Sequence, residues 1–168
     1  MGFALTPPIP LASPIMDFSS DEYFMREALR QARRALAADE VPIGAVVVRE
    51  GEIISRAWNQ VEMLKDATAH AEMLAITQAE SAVGDWRLND CDLYVTKEPC
   101  PMCAGAIVHA RLRRVVFGCP DPKCGGAGGL VNLLQMPELN HRCLITSGIL
   151  ADECLAMIKD FFRARRAE

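Results

Sequence analysis

Two short stretches of the sequence carry side chains that can bind a metal ion and move a proton. The first is His70-Ala71-Glu72, and the second is Glu98-Pro99-Cys100-Pro101-Met102-Cys103. One imidazole and two thiols at i, i+3 spacing are ordinary zinc ligands, and a catalytic zinc site keeps its fourth position open for water. The pattern therefore predicts a catalytic zinc site with His70, Cys100 and Cys103 as ligands.

The carboxylate beside this site can act as an acid and a base. H-x-E followed by P-C-x-x-C resembles the signature of the zinc nucleobase deaminases, in which zinc activates a water molecule. Glu72 would take a proton from that water, give it to a ring nitrogen and later protonate the leaving ammonia. The predicted catalytic residue is Glu72, and we expect its enclosed pocket to raise its pKa.

Other ligands and other chemistries remain open at this point. H-x-E alone carries little information, and C-x-x-C alone also occurs in redox and structural zinc proteins. His109 and His141 are alternative ligands, although neither has a neighbouring carboxylate or cysteine pair. Cys119 and Cys124 lie in one predicted loop and could form a second site.

The composition favours one reduced, cytoplasmic domain. The chain has 168 residues, of which 51% are hydrophobic, and this length is enough for a self-sufficient core. No apolar run approaches the roughly 18 uncharged residues of a membrane span. The seven cysteines are an odd number, and their spacings suggest no disulfide framework. Because no secretion signal precedes them, we expect free thiols in the cytoplasm. A net charge of -4 means that nucleic-acid binding would need a local basic surface.

Hydrophobic periodicity predicts alternating helices and strands. The predicted helices span 20–38, 69–82, 100–109, 131–135 and 149–166, and the predicted strands span 42–48, 52–54, 93–96, 113–118 and 143–146. This alternation, with one early hairpin, predicts a three-layer α/β/α domain with a five-stranded mixed sheet.

Two predicted helices begin at the predicted metal site. Thr68, after an expected loop at 59–68, is the predicted N-cap of the helix that contains Glu72. The other helix begins near Cys100, where the helix dipole favours a thiolate. His70 and Glu72 would point to opposite sides of a regular helix, so we expect the metal to lie beyond the ends of both helices.

The N-terminal segment differs from the rest of the chain. Residues 1–16 are uncharged and contain Pro7, Pro8, Pro10 and Pro14, a density of proline that neither a helix nor a central strand tolerates. We therefore expect residues 1–18 to form a flexible Pro-rich extension and residues 19–168 to form the zinc-dependent domain.

Several segments resemble the bacterial-type tRNA-specific adenosine deaminases of the cytidine and deoxycytidylate deaminase superfamily. The shared motifs are VPIGAV at 41–46, TAHAE at 68–72, LYVTKEPCPMCAGA at 93–106 and RVVFG at 114–118. Asn140-His141-Arg142, GILADEC at 148–154 and Phe161-Phe162-Arg163 resemble the tRNA enzymes more closely than deaminases of free bases or nucleosides. The resemblance implies a cytidine-deaminase-like fold, one Zn²⁺ per subunit, a homodimer, and conversion of the wobble adenosine 34 of tRNA to inosine with release of ammonia.

The resemblance also implies substrate contacts. Asn59 would contact the flipped adenine or its ribose, and Asp121 would contact the sugar–phosphate backbone beside it. Asn140, Phe162 and Arg163 would line the path of the anticodon. Without the resemblance, Asn59 and Asp121 are equally explained as turn residues, and Arg163 as a cation at a helix C-terminus.

Two further expectations concern the surface around the site. Six arginines would supply the local basic surface for phosphate contacts, namely Arg111, Arg113, Arg114, Arg163, Arg165 and Arg166. The run Gly125-Gly126-Ala127-Gly128-Gly129 is richer in glycine than the family pattern and predicts a softer loop beside the substrate.

Three rival functions remain open. The first is a deaminase of guanine, cytosine or a small nucleoside on the same zinc site. The second is a non-catalytic, zinc-stabilised RNA-binding subunit, which would have no need of Glu72. The third is a thiol redox protein that uses Cys100 and Cys103.

Overall fold

The computed structural model describes residues 19–167. The predicted flexible extension, residues 1–18, lies outside the described residues. The helices are α1 (Asp21–Ala37), α2 (Val61–Leu64), α3 (Ala71–Val83), α4 (Pro101–His109) and α5 (Ala151–Arg166). The strands are β1 (Gly44–Arg49), β2 (Glu52–Trp58), β3 (Cys91–Lys97), β4 (Arg114–Cys119) and β5 (Leu144–Ser147).

The strands form one five-stranded sheet with the order β2-β1-β3-β4-β5. β1 pairs with β2 and with β3 in the antiparallel direction, whereas β3, β4 and β5 are parallel to one another. The prediction of a five-stranded mixed sheet is therefore confirmed.

Side-chain alternation along the central strands divides the core into two layers. Leu93 and Val95 of β3 pack in the cluster that contains α3 and α4, whereas Tyr94 between them packs in the cluster of α1 and α5. Because successive residues of a strand face opposite sides, a strand that is apolar at consecutive positions is covered on both faces. This arrangement confirms the three-layer α/β/α prediction.

Two local predictions were wrong. The segment 131–135 is not a helix, because the Asn132 side chain accepts a hydrogen bond from the Gln135 N–H at 3.2 Å, and Ala127 and Asn132 form a β-bridge. The expected loop at 59–68 contains the short helix α2. The N–H groups of Glu62 and Met63 in α2 donate to Glu40, which precedes β1 and is remote in sequence.

Arg114 fastens α1 to the sheet. Its guanidinium donates to both carboxylate oxygens of Asp21, at 2.7 and 3.1 Å, and to the Tyr94 hydroxyl at 2.8 Å. The Tyr94 hydroxyl in turn donates to Asp21 at 2.7 Å. Burial alone would raise the pKa of Asp21, but the hydrogen bonds from Arg114 and Tyr94 lower that pKa below its ordinary value.

The stabilising contribution of Asp21 should therefore depend on pH. A group with a lowered pKa stabilises the fold above its unfolded pKa and loses this effect as the pH falls through the folded pKa. We expect Asp21→Asn to reduce the free energy of unfolding near pH 7, and the difference from wild type to shrink as the pH falls below about 4. Urea unfolding of both proteins between about pH 3 and pH 7 measures this difference in the free energy of unfolding. The control is Asp160→Asn, at an exposed position. An effect of Asp21→Asn that does not change with pH would contradict the assigned ion pair.

Among residues 19–167, no helix has both the length and the apolar character that crossing a membrane requires.

Candidate active site

The predicted metal ligands meet where two helices begin. His70 is the N-cap of α3 and Cys100 is the N-cap of α4, with Cys103 in the first turn of α4. His70 Nδ1 lies 3.6 Å from Cys100 Sγ and 3.5 Å from Cys103 Sγ. The three ligand atoms lie within 4.8 Å of one another, so one ion can contact all three. One nitrogen and two sulfur donors suit zinc.

The N-cap of α3 is His70, so the prediction of Thr68 was wrong. The Thr68 hydroxyl donates to Asp66 Oδ1 at 2.7 Å and completes a turn before the helix. His70 has an extended backbone, with φ -71° and ψ 152°, and lies outside the regular helix. Because His70 precedes the helix proper, its ring and the Glu72 carboxylate can face the same space.

The interaction between the two thiols favours the thiolate form of Cys100. Interaction with the Cys103 thiol, and then with His70, lowers the pKa of Cys100 to about 4. The same interaction with Cys100, together with burial, raises the pKa of Cys103. Cys100 is therefore in the form that binds a metal ion at neutral pH.

The carboxyl group of Glu72 is almost completely enclosed, at 4% exposure. Burial raises the pKa of Glu72 to about 7, as the sequence predicts for a carboxyl group in an enclosed pocket. A carboxyl group with this pKa can accept and release a proton near neutral pH, which a general acid and base requires.

A cavity of about 470 Å³ opens beside His70 and Glu72. This volume is within the usual range of small-molecule sites. Predicted substrate residues Asn59 and Phe162 both line it, Asn59 in the interior and Phe162, at 42% exposure, at the rim. The other lining residues are Asp39, Glu40, Val41, Ile43, Val61, Glu62, Ala71, Phe161 and Arg165.

Glu98 holds the glycine-rich loop against the site, a role that its motif does not predict. Its buried carboxylate accepts hydrogen bonds from the N–H groups of Asp121 at 2.7 Å, Ala127 at 3.1 Å and Gly129 at 2.8 Å. The position of Glu98 two residues before Cys100 was visible in the motif, but its partners lie in a different segment. The sequence alone therefore gave no signal of this contact.

The expectation of a soft loop does not hold for Gly125 and Gly126, which are buried and closely packed. A Cβ added to Gly125 would lie 2.2 Å from Glu98 Oε1 and 2.5 Å from the Asp121 carbonyl oxygen. A Cβ added to Gly126 would lie 2.8 Å from Ala104 Cβ and 3.0 Å from the Cys100 carbonyl oxygen. Glycine is required at these two positions for contact with Glu98 and α4, and this part of the loop is tightly packed.

This packing predicts the effect of one added methyl group. Gly125→Ala forces the Asp121 backbone and Glu98 apart, so we expect the free energy of unfolding to fall by about 1–3 kcal/mol. Urea unfolding measures this change. Lys123→Ala, at an exposed position of the same loop, is the matched control and should change stability by less than about 0.5 kcal/mol. Equal stability of Gly125→Ala and wild type would contradict the tight packing.

Asp121 contacts Glu98, which is two residues before Cys100, but it does not line the cavity. Its carboxylate contacts Lys97 Nζ at 2.5 Å and accepts from the N–H groups of Lys123 at 3.0 Å and Cys124 at 3.1 Å. These contacts are those of a turn residue, and its contact with the sugar–phosphate backbone stays a prediction.

Asn140 and Arg163 are not brought to the cavity within one chain. The Asn140 carbonyl accepts from Arg111 at 3.4 Å and lies in a surface depression beside His109, at the C-terminal end of α4. Arg163 pairs with Asp160 at 3.1 Å and its side chain is 72% exposed. Their predicted roles along the anticodon path stay predictions.

Part of the expected basic surface lies elsewhere. Arg114 is the first residue of β4, whereas Cys100 follows the carboxyl end of the neighbouring parallel strand β3. The two residues therefore lie at opposite ends of these strands, about 20 Å apart. Arg113 donates to Asp92 at 2.8 Å, and Arg114 pairs with Asp21. Acidic partners and distance therefore remove Arg113 and Arg114 from the phosphate-binding surface that the sequence suggested.

The alternative ligands are separate from this site. His141 Nε2 lies 2.7 Å from the Leu112 carbonyl oxygen, and His109 lies at the far end of α4. Cys119 is buried with its thiol directed at the Thr96 carbonyl oxygen, whereas Cys124 is exposed. Among residues 19–167, the metal-binding group comprises His70, Cys100 and Cys103.

Comparison with known proteins identifies the family. The family model of the MafB19-like deaminases matches residues 18–166. The tRNA-specific adenosine deaminase of Bacillus subtilis (strain 168) is 52% identical over 148 residues, which cover 88% of this chain and 92% of that protein. The chain belongs to the tRNA-specific adenosine deaminase family. The Aquifex aeolicus (strain VF5) member is 48% identical over 145 residues, 86% of this chain and 95% of that protein.

Solved structures agree with this family membership. A structure from a study of A-to-I editing by tRNA:A34 deaminases at the wobble position of transfer RNA has 45% sequence identity and a TM-score of 0.78. The aligned region covers 80% of this chain and 98% of the chain in that structure. The cytidine-deaminase-like fold prediction is confirmed.

A guanine deaminase from Nitrosomonas europaea shares the fold at lower identity. Its structure has 25% sequence identity and a TM-score of 0.73, and covers 96% of this chain and 97% of that one. The same architecture therefore occurs in deaminases with more than one substrate specificity.

Proposed function

We propose that this protein hydrolyses the exocyclic amine of the wobble adenosine, position 34, in a tRNA anticodon and so forms inosine and ammonia. The observation that carries the proposal is the buried Glu72 carboxyl group beside the His70, Cys100 and Cys103 cluster, at the wall of a base-sized cavity. The tRNA specificity is supported by relatives named tRNA-specific adenosine deaminase, of which the Bacillus subtilis protein is 52% identical.

The donor set fits one zinc ion per subunit, held by His70, Cys100 and Cys103. When bound, zinc supplies a Lewis acid that activates water for attack on the ring carbon bearing the amine. Glu72 accepts one proton from the water as the attack begins and passes it to a ring nitrogen. It then takes the second proton, from the hydroxyl group now on the ring carbon, and gives it to the departing amine. Burial of Glu72 excludes bulk water, so the proton stays between Glu72 and the substrate.

The proposed RNA contacts begin at the cavity and extend along the rim. Asn59 contacts the flipped adenine or its ribose, and Phe162 offers an exposed ring to a neighbouring base. Asp121 and Arg163 contact the backbone of the anticodon. Asn140 completes this surface in a homodimer, since the partner can bring it near a cavity that its own chain does not reach. We place the enzyme in the cytoplasm, with its tRNA substrate.

An anticodon stem-loop with adenosine at the wobble position tests the proposal directly. We expect inosine at this position, no inosine when adenosine stands elsewhere in the loop, and no turnover of free guanine. Turnover of guanine, cytosine or a free nucleoside without inosine in the stem-loop would assign the same site to another substrate. RNA binding without any turnover would instead support the non-catalytic function.

A further inference from the structure

Glu40 is a buried carboxylate at the wall of the cavity, outside the motifs that suggest chemistry. It is 1% exposed and its backbone N–H donates to the Ala35 carbonyl oxygen after α1. Its side chain receives three N–H groups: Asn59 Nδ2 at 3.4 Å, the Glu62 backbone at 3.1 Å and the Met63 backbone at 2.6 Å. Glu40 therefore joins the cavity residue Asn59 to the first turn of α2.

The contact with Glu40 decides which end of the Asn59 side chain faces the cavity. A carboxylate only accepts hydrogen bonds, so the amide nitrogen of Asn59, and not its oxygen, must lie against Glu40. The Asn59 backbone is fixed separately, since its N–H donates to the Ile43 carbonyl oxygen at 3.0 Å. The side-chain amide is therefore the part of Asn59 whose orientation depends on Glu40.

The amide oxygen of Asn59 is left for the substrate. Within residues 19–167 no donor contacts Asn59 Oδ1, and every fully buried side-chain polar atom there has a hydrogen-bond partner. Because Oδ1 has no partner, it is not a fully buried atom. Asn59 lines the cavity, so Oδ1 is accessible from the cavity. An acceptor at this position recognises an N–H or O–H group, such as an amine of the base or a hydroxyl of the ribose.

We propose that Glu40 is a positioning residue for substrate recognition, which orients the Asn59 amide so that its oxygen accepts a hydrogen bond from the bound nucleoside. The proposal rests on the proposed function, because it takes the nucleoside of the anticodon loop as the occupant of the cavity. The Glu40 carboxylate is 1% exposed and already accepts three protein N–H groups, so it acts through Asn59. Its second contact, at the N-terminus of α2, sets the cavity wall at Val61 and Glu62.

The nearly isosteric Glu40→Gln variant separates orientation from shape. In wild type, N–H donors point at both carboxylate oxygens of Glu40. Gln has one oxygen and one N–H₂ group, so its nitrogen must face at least one of these N–H donors. We expect the Gln oxygen to keep the shortest of these bonds, the one from the Met63 N–H at 2.6 Å, so that the Gln nitrogen lies beside Asn59. The Asn59 amide then turns over and presents its nitrogen to the substrate. We expect kcat/KM for the anticodon stem-loop to fall about 10- to 100-fold. Glu52→Gln, which neutralises an exposed carboxylate on β2, is the matched control.

A double-mutant cycle with Asn59→Ala tests whether Glu40 acts through Asn59. We expect Glu40→Gln to change kcat/KM by less than about two-fold when Asn59 is already alanine. Glu40→Gln also weakens the contacts with α2. That effect would lower the melting temperature equally whether residue 59 is asparagine or alanine, because it does not involve the Asn59 side chain. An equal loss of kcat/KM in both backgrounds, or no loss in Glu40→Gln alone, would overturn the proposal.

A spectroscopic measurement keeps the proposal separate from the proposed function. The side-chain amide resonance of Asn59, assigned by its absence in Asn59→Ala, should shift in Glu40→Gln and remain unchanged in Glu52→Gln. This result is expected even if wild type fails to deaminate the stem-loop, which would refute the proposed function alone. An unshifted Asn59 resonance in Glu40→Gln would refute the orienting contact.

Discussion

Glu72→Gln should lower the rate of deamination about 1,000-fold or more while zinc and RNA remain bound. Glutamine has nearly the volume of glutamate and fits the enclosed position, which is 4% exposed in the native protein. It cannot accept a proton from the attacking water or return one to the leaving amine. The expected loss is therefore in kcat, with little change in the affinity for the anticodon stem-loop.

Single-turnover formation of inosine, zinc content and stem-loop affinity together measure this effect. Glu80→Gln is the matched control, since it makes the same chemical change on α3 about 12 Å further along the helix. We expect near-native turnover from Glu80→Gln. Residual activity of Glu72→Gln within ten-fold of wild type would contradict the assignment of Glu72 as the proton carrier.

Loss of one thiol should remove both the metal and the activity. Cys103 is fully buried, and its Sγ lies 3.5 Å from His70 Nδ1. Cys103→Ala leaves two protein donors, which is below the three that a catalytic zinc site uses. We expect the zinc content to fall from about one equivalent to near zero, deamination to become undetectable and the melting temperature to decrease.

The exposed Cys124 provides a control that also removes a thiol close to the site. Cys124→Ala should retain about one equivalent of zinc and native turnover, because Cys124 is not part of the metal-binding group. Treatment of wild type with a strong chelator should reproduce the Cys103→Ala result, and added zinc should restore wild type only. Zinc retained by Cys103→Ala, or lost by Cys124→Ala, would contradict the ligand set.

The glycine-rich loop shows why composition alone misleads about rigidity. Five consecutive small residues suggest a flexible segment, yet Gly125 and Gly126 allow the chain to approach Glu98 and Cys100 at distances that a Cβ would prevent. Glycine permits both flexible chain and close contact. The neighbours of the loop decide between these outcomes, and the neighbours are known only from the fold.

The cluster of arginines shows the same limit for charge. Arg113 and Arg114 lie in a basic run of the sequence, but each pairs with an aspartate. They lie at the amino end of β4, whereas the cavity lies near the carboxyl end of the neighbouring parallel strand β3. Sequence shows how many charges are present, whereas strand direction decides which charges can meet the same phosphate backbone.

Local spacing in the sequence was enough to predict the group of His70, Cys100 and Cys103 that the structure brings together, the carboxyl group of Glu72 beside it, and the alternation that builds a three-layer domain. Within each motif the signal depends on residues one to four positions apart, and the alternation depends on the period of a single helix or strand. Only the tertiary structure decided the pairing of Glu40 with Asn59 and of Glu98 with its loop, and the face on which each arginine lies. These contacts join segments that are distant in sequence, and the order and direction of the strands bring them together.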